Sequence, residues 1–212
     1  MSDSLRGEET PKCLVNRDWV QSIARNGFTY NDYKSWPEDV DAELIDGVVY
    51  LMSAPSERHS TIQMDISGQL RDFLKGKTCT VHTAKFGVRL AYEESGFDET
   101  TVEPDIFVVC DQSIVFDKPE CQGVPDFIIE IVSKSESGKD LVIKKERYEK
   151  AKVKEYWVIE LKDLHVFSFV DGKYIETVKE ITNELKQPVS CLDGCIIDFQ
   201  FIADRYKNST NY

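Results

Sequence analysis

PDFIIEIVSKS, residues 125–135, carries Glu130 inside an otherwise apolar run of Phe127, Ile128, Ile129, Ile131 and Val132. A short apolar segment rich in β-branched and aromatic residues, bounded by Pro125 and by Ser133, reads as a strand buried on both faces, the position of a central strand. An ionised carboxylate left alone in such surroundings costs several kcal/mol, so Glu130 requires protonation, a cation or a salt-bridge partner.

Upstream, TVEPDIFVVCD (residues 101–111) has the same strand character. If the two strands run antiparallel across the connection 111–124, one register sets Asp105 opposite Glu130 and Val109 opposite Asp126. Directly opposed residues bring their Cβ atoms to about 4.5–5.5 Å, close enough for two carboxylates to share one metal ion. Magnesium favours one or two carboxylates, retained waters and phosphate oxygens, so the pair reads as a metal cradle. One residue of slip would send the two acids to opposite faces. Asp126 lies about 13 Å from Glu130 along an extended strand, too far to share a small ion.

Downstream, a helix is expected from about Asp140 to Lys152, with Leu141, Lys144, Tyr148 and Ala151 on one face. Lys144 therefore points inward, where an ammonium can hydrogen-bond a water or a phosphate oxygen and steady charge that grows during hydrolysis. Lys145, on the flank, is the second candidate. Tyr148 and Trp157 fit the core and need no functional role.

The remaining segments suggest an α/β core. RDWVQSIARN (17–26) has helical character, and Thr29 followed by Asp32 resembles a capped helix start. AELI and VVYLMS flank Asp46-Gly47, and HVFSFV and KYIETV flank Asp171-Gly172, two hairpins with favoured two-residue turns. From Ser56 to Leu74, Ile62, Ile66, Leu70 and Phe73 mark one buried helical stripe, and His59 falls on it, foremost as a packing or capping residue and second as a group that touches phosphate or helps order the site. Residues 79–92, EYWVIEL and CIIDFQFI complete the expected strands.

The chain of 212 residues is 41% apolar, enough for one core. Residues 1–27 read as a polar tail with a packing helix and residues 28–212 as a single domain. No segment approaches the roughly 20 apolar residues of a membrane span, and the opening lacks the apolar core of a secretory signal, which points to the cytoplasm. The six cysteines are scattered and read as reduced thiols. A net charge of −12 repels polyanions, so binding nucleic acid needs bound cations or a local basic patch. Lys144 to Glu155, with six basic and three acidic residues, is either that patch or a solvated helix face.

ELIDG at 43–47, Pro104-Asp105, PDFIIEIVS at 125–133, the spacing Asp140, Lys144, Tyr148 and then KEYWVIE together resemble the restriction-endonuclease family abundant in cyanobacteria, within the PD-(D/E)XK nuclease superfamily. The resemblance covers roughly residues 28–170 and implies a four-stranded mixed sheet flanked by helices. It implies that Asp105 and Glu130 are catalytic magnesium ligands, that the carbonyl of Ile131 is a third, and that Glu43 is a further catalytic acid. Manganese is the implied substitute. Val132 stands where the superfamily motif E-x-K has lysine, which implies a lysine moved to the following helix and agrees with the inward placement of Lys144. Ser133-Lys134-Ser135-Glu136 also departs from the usual S-P-S-T.

The implied activity is endonucleolytic hydrolysis of nucleic-acid phosphodiesters, DNA foremost. Many nucleases of this superfamily act as homodimers that cut two strands. Two rivals remain open at this point: a binding or interaction domain that kept the fold without turnover, and a small-molecule metallohydrolase, which needs no basic surface.

Overall fold

The computed structural model describes residues 27–37, 40–132, 138–160 and 162–208. The elements run α1 (Tyr30–Tyr33), β1 (Ala42–Ile45), β2 (Val48–Leu51), α2 (Glu57–Leu74), β3 (Thr80–Thr83), β4 (Val88–Arg89), β5 (Thr101–Val102) and β6 (Ile106–Val109). They continue with β7 (Phe127–Ile131), α3 (Gly138–Ala151), β8 (Glu155–Ile159), β9 (Asp163–Val170), β10 (Lys173–Glu180), β11 (Lys186–Pro188), β12 (Ile196–Asp198) and α4 (Gln200–Asn208). The helix expected over 17–26 and the Ser133–Glu136 segment lie outside the described residues.

The main sheet has six strands in the order β10-β9-β8-β7-β6-β3. It is mixed, because β7 and β8 are parallel while the other neighbours are antiparallel. Two parallel neighbours need a crossover, and α3 supplies it. All five residues of β7 are buried, as its apolar sequence predicts for a central strand. The β9–β10 hairpin carries the sheet beyond the four strands implied by the resemblance. Its turn, like that of β1–β2, follows from the Asp-Gly pair: φ is 49° at Asp171 and 89° at Gly172, and 52° at Asp46 and 71° at Gly47. Two successive left-handed residues make the turn whose twist matches paired strands.

Each face of the sheet is covered differently. Ile106, Val108, Phe127 and Ile129 face α2, whose Ile62, Ile66 and Leu70 are buried against them, and Phe199 and Ile202 of the C-terminal segment join this layer. The alternate residues Phe107, Val109 and Ile128 pack with Tyr148 of α3 and with Ile45, Val88 and Val102. Those last three belong to a second, four-stranded sheet of order β2-β1-β5-β4. The period of two along β7 therefore turns Glu130 toward α3 and the small sheet.

Four sequence expectations are corrected. Residues 101–109 are not one strand: β5 pairs with β1 in the small sheet and β6 with β7 in the large one, with Glu103-Pro104-Asp105 between them. Proline has no N–H for a ladder, so pairing stops there. Residues 79–92 likewise divide into β3 and β4 of different sheets. CIIDFQFI is a strand only to Asp198, after which α4 begins at Gln200. Cys79 and Cys110 are joined by a disulfide rather than reduced. The β3–β6 pairing, in which Thr80 faces Val109, carries Cys79 directly opposite Cys110 one step further on. Cys121, Cys191 and Cys195 are free thiols among the described residues.

Candidate active site

Ile106 pairs with Ile129, Phe107 with Ile128 and Val108 with Phe127, the register in which the next step outward sets Asp105 against Glu130. Both acids thus sit at one end of β6 and β7, on a cavity of about 390 Å³ that Glu43 and Lys144 also line. Asp105 Oδ2 accepts a 2.7 Å bond from the Ile131 N–H and lies 3.0 Å from His59 Nε2. Gln63 of α2 donates to the Asp105 carbonyl at 2.7 Å, so the helix holds this residue by backbone and side chain together.

Glu130 is fixed from α3. Lys144 Nζ lies 3.1 Å from Glu130 Oε1, and Tyr148 donates its hydroxyl to the same oxygen at 2.7 Å. One helical turn separates Lys144 from Tyr148, so one face delivers both groups. Lys144 also reaches Glu43 Oε1 at 2.8 Å, and that oxygen accepts the Glu103 N–H at 2.7 Å. Glu43 is only 4% exposed, so it is a buried acid and not ordinary surface charge beside a turn. Lys145 does not enter the site: its ammonium lies 4.6 Å from the centre of the Phe167 ring.

Burial, with the charges of Asp105 and Glu43, pushes the Glu130 carboxyl up to about 7 against the opposing pull of Lys144 and Tyr148. Burial alone would lower Lys144, but Glu130 and Glu43 outweigh it and hold the ammonium above the ordinary lysine value. Three carboxylates thus share one lysine and one histidine, a site with unmet demand for positive charge.

The remaining acceptors are hard oxygens. The Lys144 and Tyr148 contacts both fall on Glu130 Oε1, and the His59 and Ile131 contacts both fall on Asp105 Oδ2, so Oε2 and Oδ1 stand outside these bonds. In a strand the N–H and C=O of one residue leave along the same edge, so the Ile131 carbonyl leaves toward the side of Asp105. Among the described residues no three His, Cys, Asp or Glu side chains converge as a ready ligand set. Two carboxylates, a carbonyl and water match the demand of magnesium, which keeps several waters, better than that of zinc.

A family model described as "Uma2: Putative restriction endonuclease" matches residues 30–199. The chain belongs to the Uma2 family. Its fold is shared with the crystal structure of a putative nuclease from Anabaena variabilis, at a TM-score of 0.68 and 17% identity over 84% of this chain and 99% of that one. A cryo-electron-microscopy structure of a DrdV–DNA complex aligns at a TM-score of 0.35 and 14% identity over 57% of this chain and 10% of that one. No curated protein sequence matches.

Two residues of this Uma2 site stood outside the set of site residues expected from sequence. Tyr148 read as core and is fully buried, yet its hydroxyl ends on Glu130. His59 read first as a packing or capping residue and second as a group ordering the site, and it contacts Asp105. The signal for Tyr148 was its four-residue spacing from Lys144; for His59 it was a polar ring on an otherwise apolar stripe.

Proposed function

We propose that the chain is a magnesium-dependent endonuclease that hydrolyses nucleic-acid phosphodiesters, DNA foremost, with manganese as a substitute metal. The observation that supports this most is the register of β6 on β7, which brings Asp105 and Glu130 to one sheet end with a lysine delivered by the next helix.

In this reading Asp105, Glu130 and the Ile131 carbonyl hold the ion. Magnesium supplies Lewis-acid polarisation of the scissile phosphate and acidifies water. Asp105 is oriented by the Ile131 N–H and His59, and Glu130 by Tyr148. Lys144 aims its ammonium into the cleft to steady the charge that gathers on phosphate oxygen, and Glu43 keeps it protonated and in place. Valine at position 132 is compensated, since Lys144 reaches Glu130 from the helix.

No helix among the described residues is long and apolar enough to cross a membrane. We place the chain in the cytoplasm, with β3 and β6 held by their own pairing as well as by Cys79–Cys110. Two copies, each cutting one strand, are the proposed arrangement for a duplex substrate.

A second reading has support of its own: Asp41, Glu43 and Glu103 border the cleft, which suits hydrolysis of a small substrate better than of a polyanion. A nicking assay on supercoiled plasmid with manganese, using Glu130→Ala as the control, decides. Metal-dependent nicking lost in Glu130→Ala supports the nuclease. Tight manganese binding without cleavage or binding of any nucleic acid overturns it.

A further inference from the structure

The main sheet ends in β10 on one side and β3 on the other, and the two edges meet solvent differently. β10 carries Lys173, Glu176, Lys179 and Glu180, and its Tyr174 N–H donates to Glu149 Oε2 of α3 at 2.7 Å. Charge along an edge and an occupied amide keep other strands from adding there. β3 has no such protection: from Cys79 through TVHT to Ala84 there is neither a charged residue nor a proline. Ala84 donates its N–H to the Asp105 carbonyl on the β6 side, so the alternation of an antiparallel ladder turns the Val81 and Thr83 amides the other way. Among the described residues no strand lies beyond them.

A cavity of about 590 Å³ runs along this edge. Val81, His82 and Thr83 all line it, and successive side chains leave a strand on opposite faces, so the cavity reaches around the edge instead of resting on one face. Its other wall is the flank of α2 with Met64, Ser67 and Gly68, where Met64 is 71% exposed. A mid-helix glycine costs about 1 kcal/mol relative to alanine, yet a Cβ on Gly68 would meet no atom within 4 Å. Packing among the described residues does not call for this glycine; close approach of a second helix would.

The occupant that the strand fits is another copy of itself. Two copies related by a two-fold axis normal to the sheet pair antiparallel and keep their faces aligned. With the axis at Val81, that residue exchanges both backbone bonds with the partner's Val81, and the Cys79 and Thr83 backbones meet the partner's Thr83 and Cys79. Thr80 and His82 then face the partner's His82 and Thr80. Within one chain Thr80 Oγ1 already lies 2.8 Å from His82 Nε2, so the seam repeats a polar pair with its own kind, and no like charges oppose each other in it. Both α2 helices fall on the same face beside the seam, where the exposed Met64 is covered and Gly68 clears the approach.

We propose that the β3 edge is the interface of a two-fold dimer, which joins the two six-stranded sheets into one continuous sheet. Asp105 lies level with Ala84, three residues from the axis, so ordinary strand spacings set the two Asp105–Glu130 pairs about 25 Å apart on the same side of that sheet and running in opposite senses. That arrangement offers one site to each strand of a duplex. This use of the dimer rests on the nuclease reading; the interface does not.

The test is analytical ultracentrifugation of the full chain across the micromolar range, beside the manganese assay on supercoiled plasmid. Wild type should sediment as a dimer. Val81→Pro deletes an outward N–H while sparing the bonds from β3 to β6, and should raise the dimer dissociation constant at least about tenfold. Gly68→Lys places a better helix former and a charge on the facing flank, so it should raise the melting temperature and weaken the dimer by a similar factor. Ile175→Lys, on the β10 edge, should leave the dimer intact. In the plasmid assay Gly68→Lys should still nick but yield less linear product. A wild type that stays monomeric, or a dimer that Gly68→Lys and any folded Val81→Pro both leave unchanged, overturns the interface and leaves the nuclease standing. A dimer broken by these variants in a wild type that cuts no nucleic acid upholds the interface and overturns the nuclease.

Discussion

Two buried ionic clusters border the small sheet, one of them shared with the main sheet, and they solve opposite problems. Around Arg89, the guanidinium forms a two-pronged contact with Asp98, reaches Glu120, and is sandwiched by the rings of Tyr30 and Tyr92 at 3.7 and 4.4 Å. Burial would lower its pKa, but hydrogen bonding and attraction to Asp98 outweigh that and hold it more firmly protonated than usual. In the second cluster, Glu43, Asp105 and Glu130 surround one lysine on the wall of a cavity, and Glu130 is strained toward neutrality. A closed, satisfied cluster holds a fold together. An open cluster with surplus acid is arranged to receive something.

That contrast can be broken by substitution. Glu130→Ala should lower metal-dependent cleavage by about a thousandfold, the scale of several kcal/mol of transition-state stabilisation, while the melting temperature stays level or rises because a strained acid is gone. Arg89→Met should do the reverse. It leaves Asp98 buried without its cation and should cost about 3–5 kcal/mol, roughly 6–20 °C in thermal melting for a chain of this size, with residual folded protein still able to cut. If Arg89→Met abolishes cleavage without lowering the melting temperature, the division between the clusters is wrong.

A smaller effect is expected at Tyr148→Phe, which removes one hydroxyl from Glu130 and leaves the ring in the core. Manganese affinity, followed by titration calorimetry, should fall about 10–100-fold, the range for groups that orient metal ligands. Unchanged affinity would return Tyr148 to a purely packing role.

The smallest effect is one of pH. With its carboxyl raised to about 7, folded Glu130 keeps a proton that the unfolded chain releases near about 4.3. Metal-free stability therefore falls as pH rises between those values. If magnesium is held by the carboxylate as proposed, its stabilising effect on thermal melting should grow from pH 5.5 to pH 8 by about 1 kcal/mol, and should lose that dependence in Glu130→Gln.

What the sequence made legible was what is local and periodic. The two Asp-Gly hairpins, the α2 stripe, the buried run of β7 and the inward face carrying Lys144 each follow from a spacing of two or of three and four. The β6–β7 register was an assumption, since the long connection does not fix the alignment, and the pairing of Ile106 with Ile129 agrees with it. What stayed hidden depends on which sheet a strand joins. Residues 101–109 look continuous, and nothing short of the tertiary pairing assigns Thr101 to Leu44 of β1 and Ile106 to Ile129 of β7. Glu43 was carried by the resemblance alone for the same reason, since its contacts come from Lys144 of α3 and the Glu103 backbone, distant in sequence. The basic run at 144–155 read as either a solvated face or a phosphate-binding patch, and half of it is engaged by acids that only the tertiary fold places beside it.

The crossing from one sheet to the other takes only Glu103, Pro104 and Asp105, and the last of these is the proposed ligand. No slack exists there: one extra amino acid between Val102 and Ile106 would leave every strand paired while swinging the carboxylate out of line with its counterpart. The same insertion between Asp171 and Gly172 would merely lengthen an outlying bend. Evolutionary drift in loop length should therefore be forbidden at the first place and common at the second, a pattern that insertion scanning with a cleavage readout would expose.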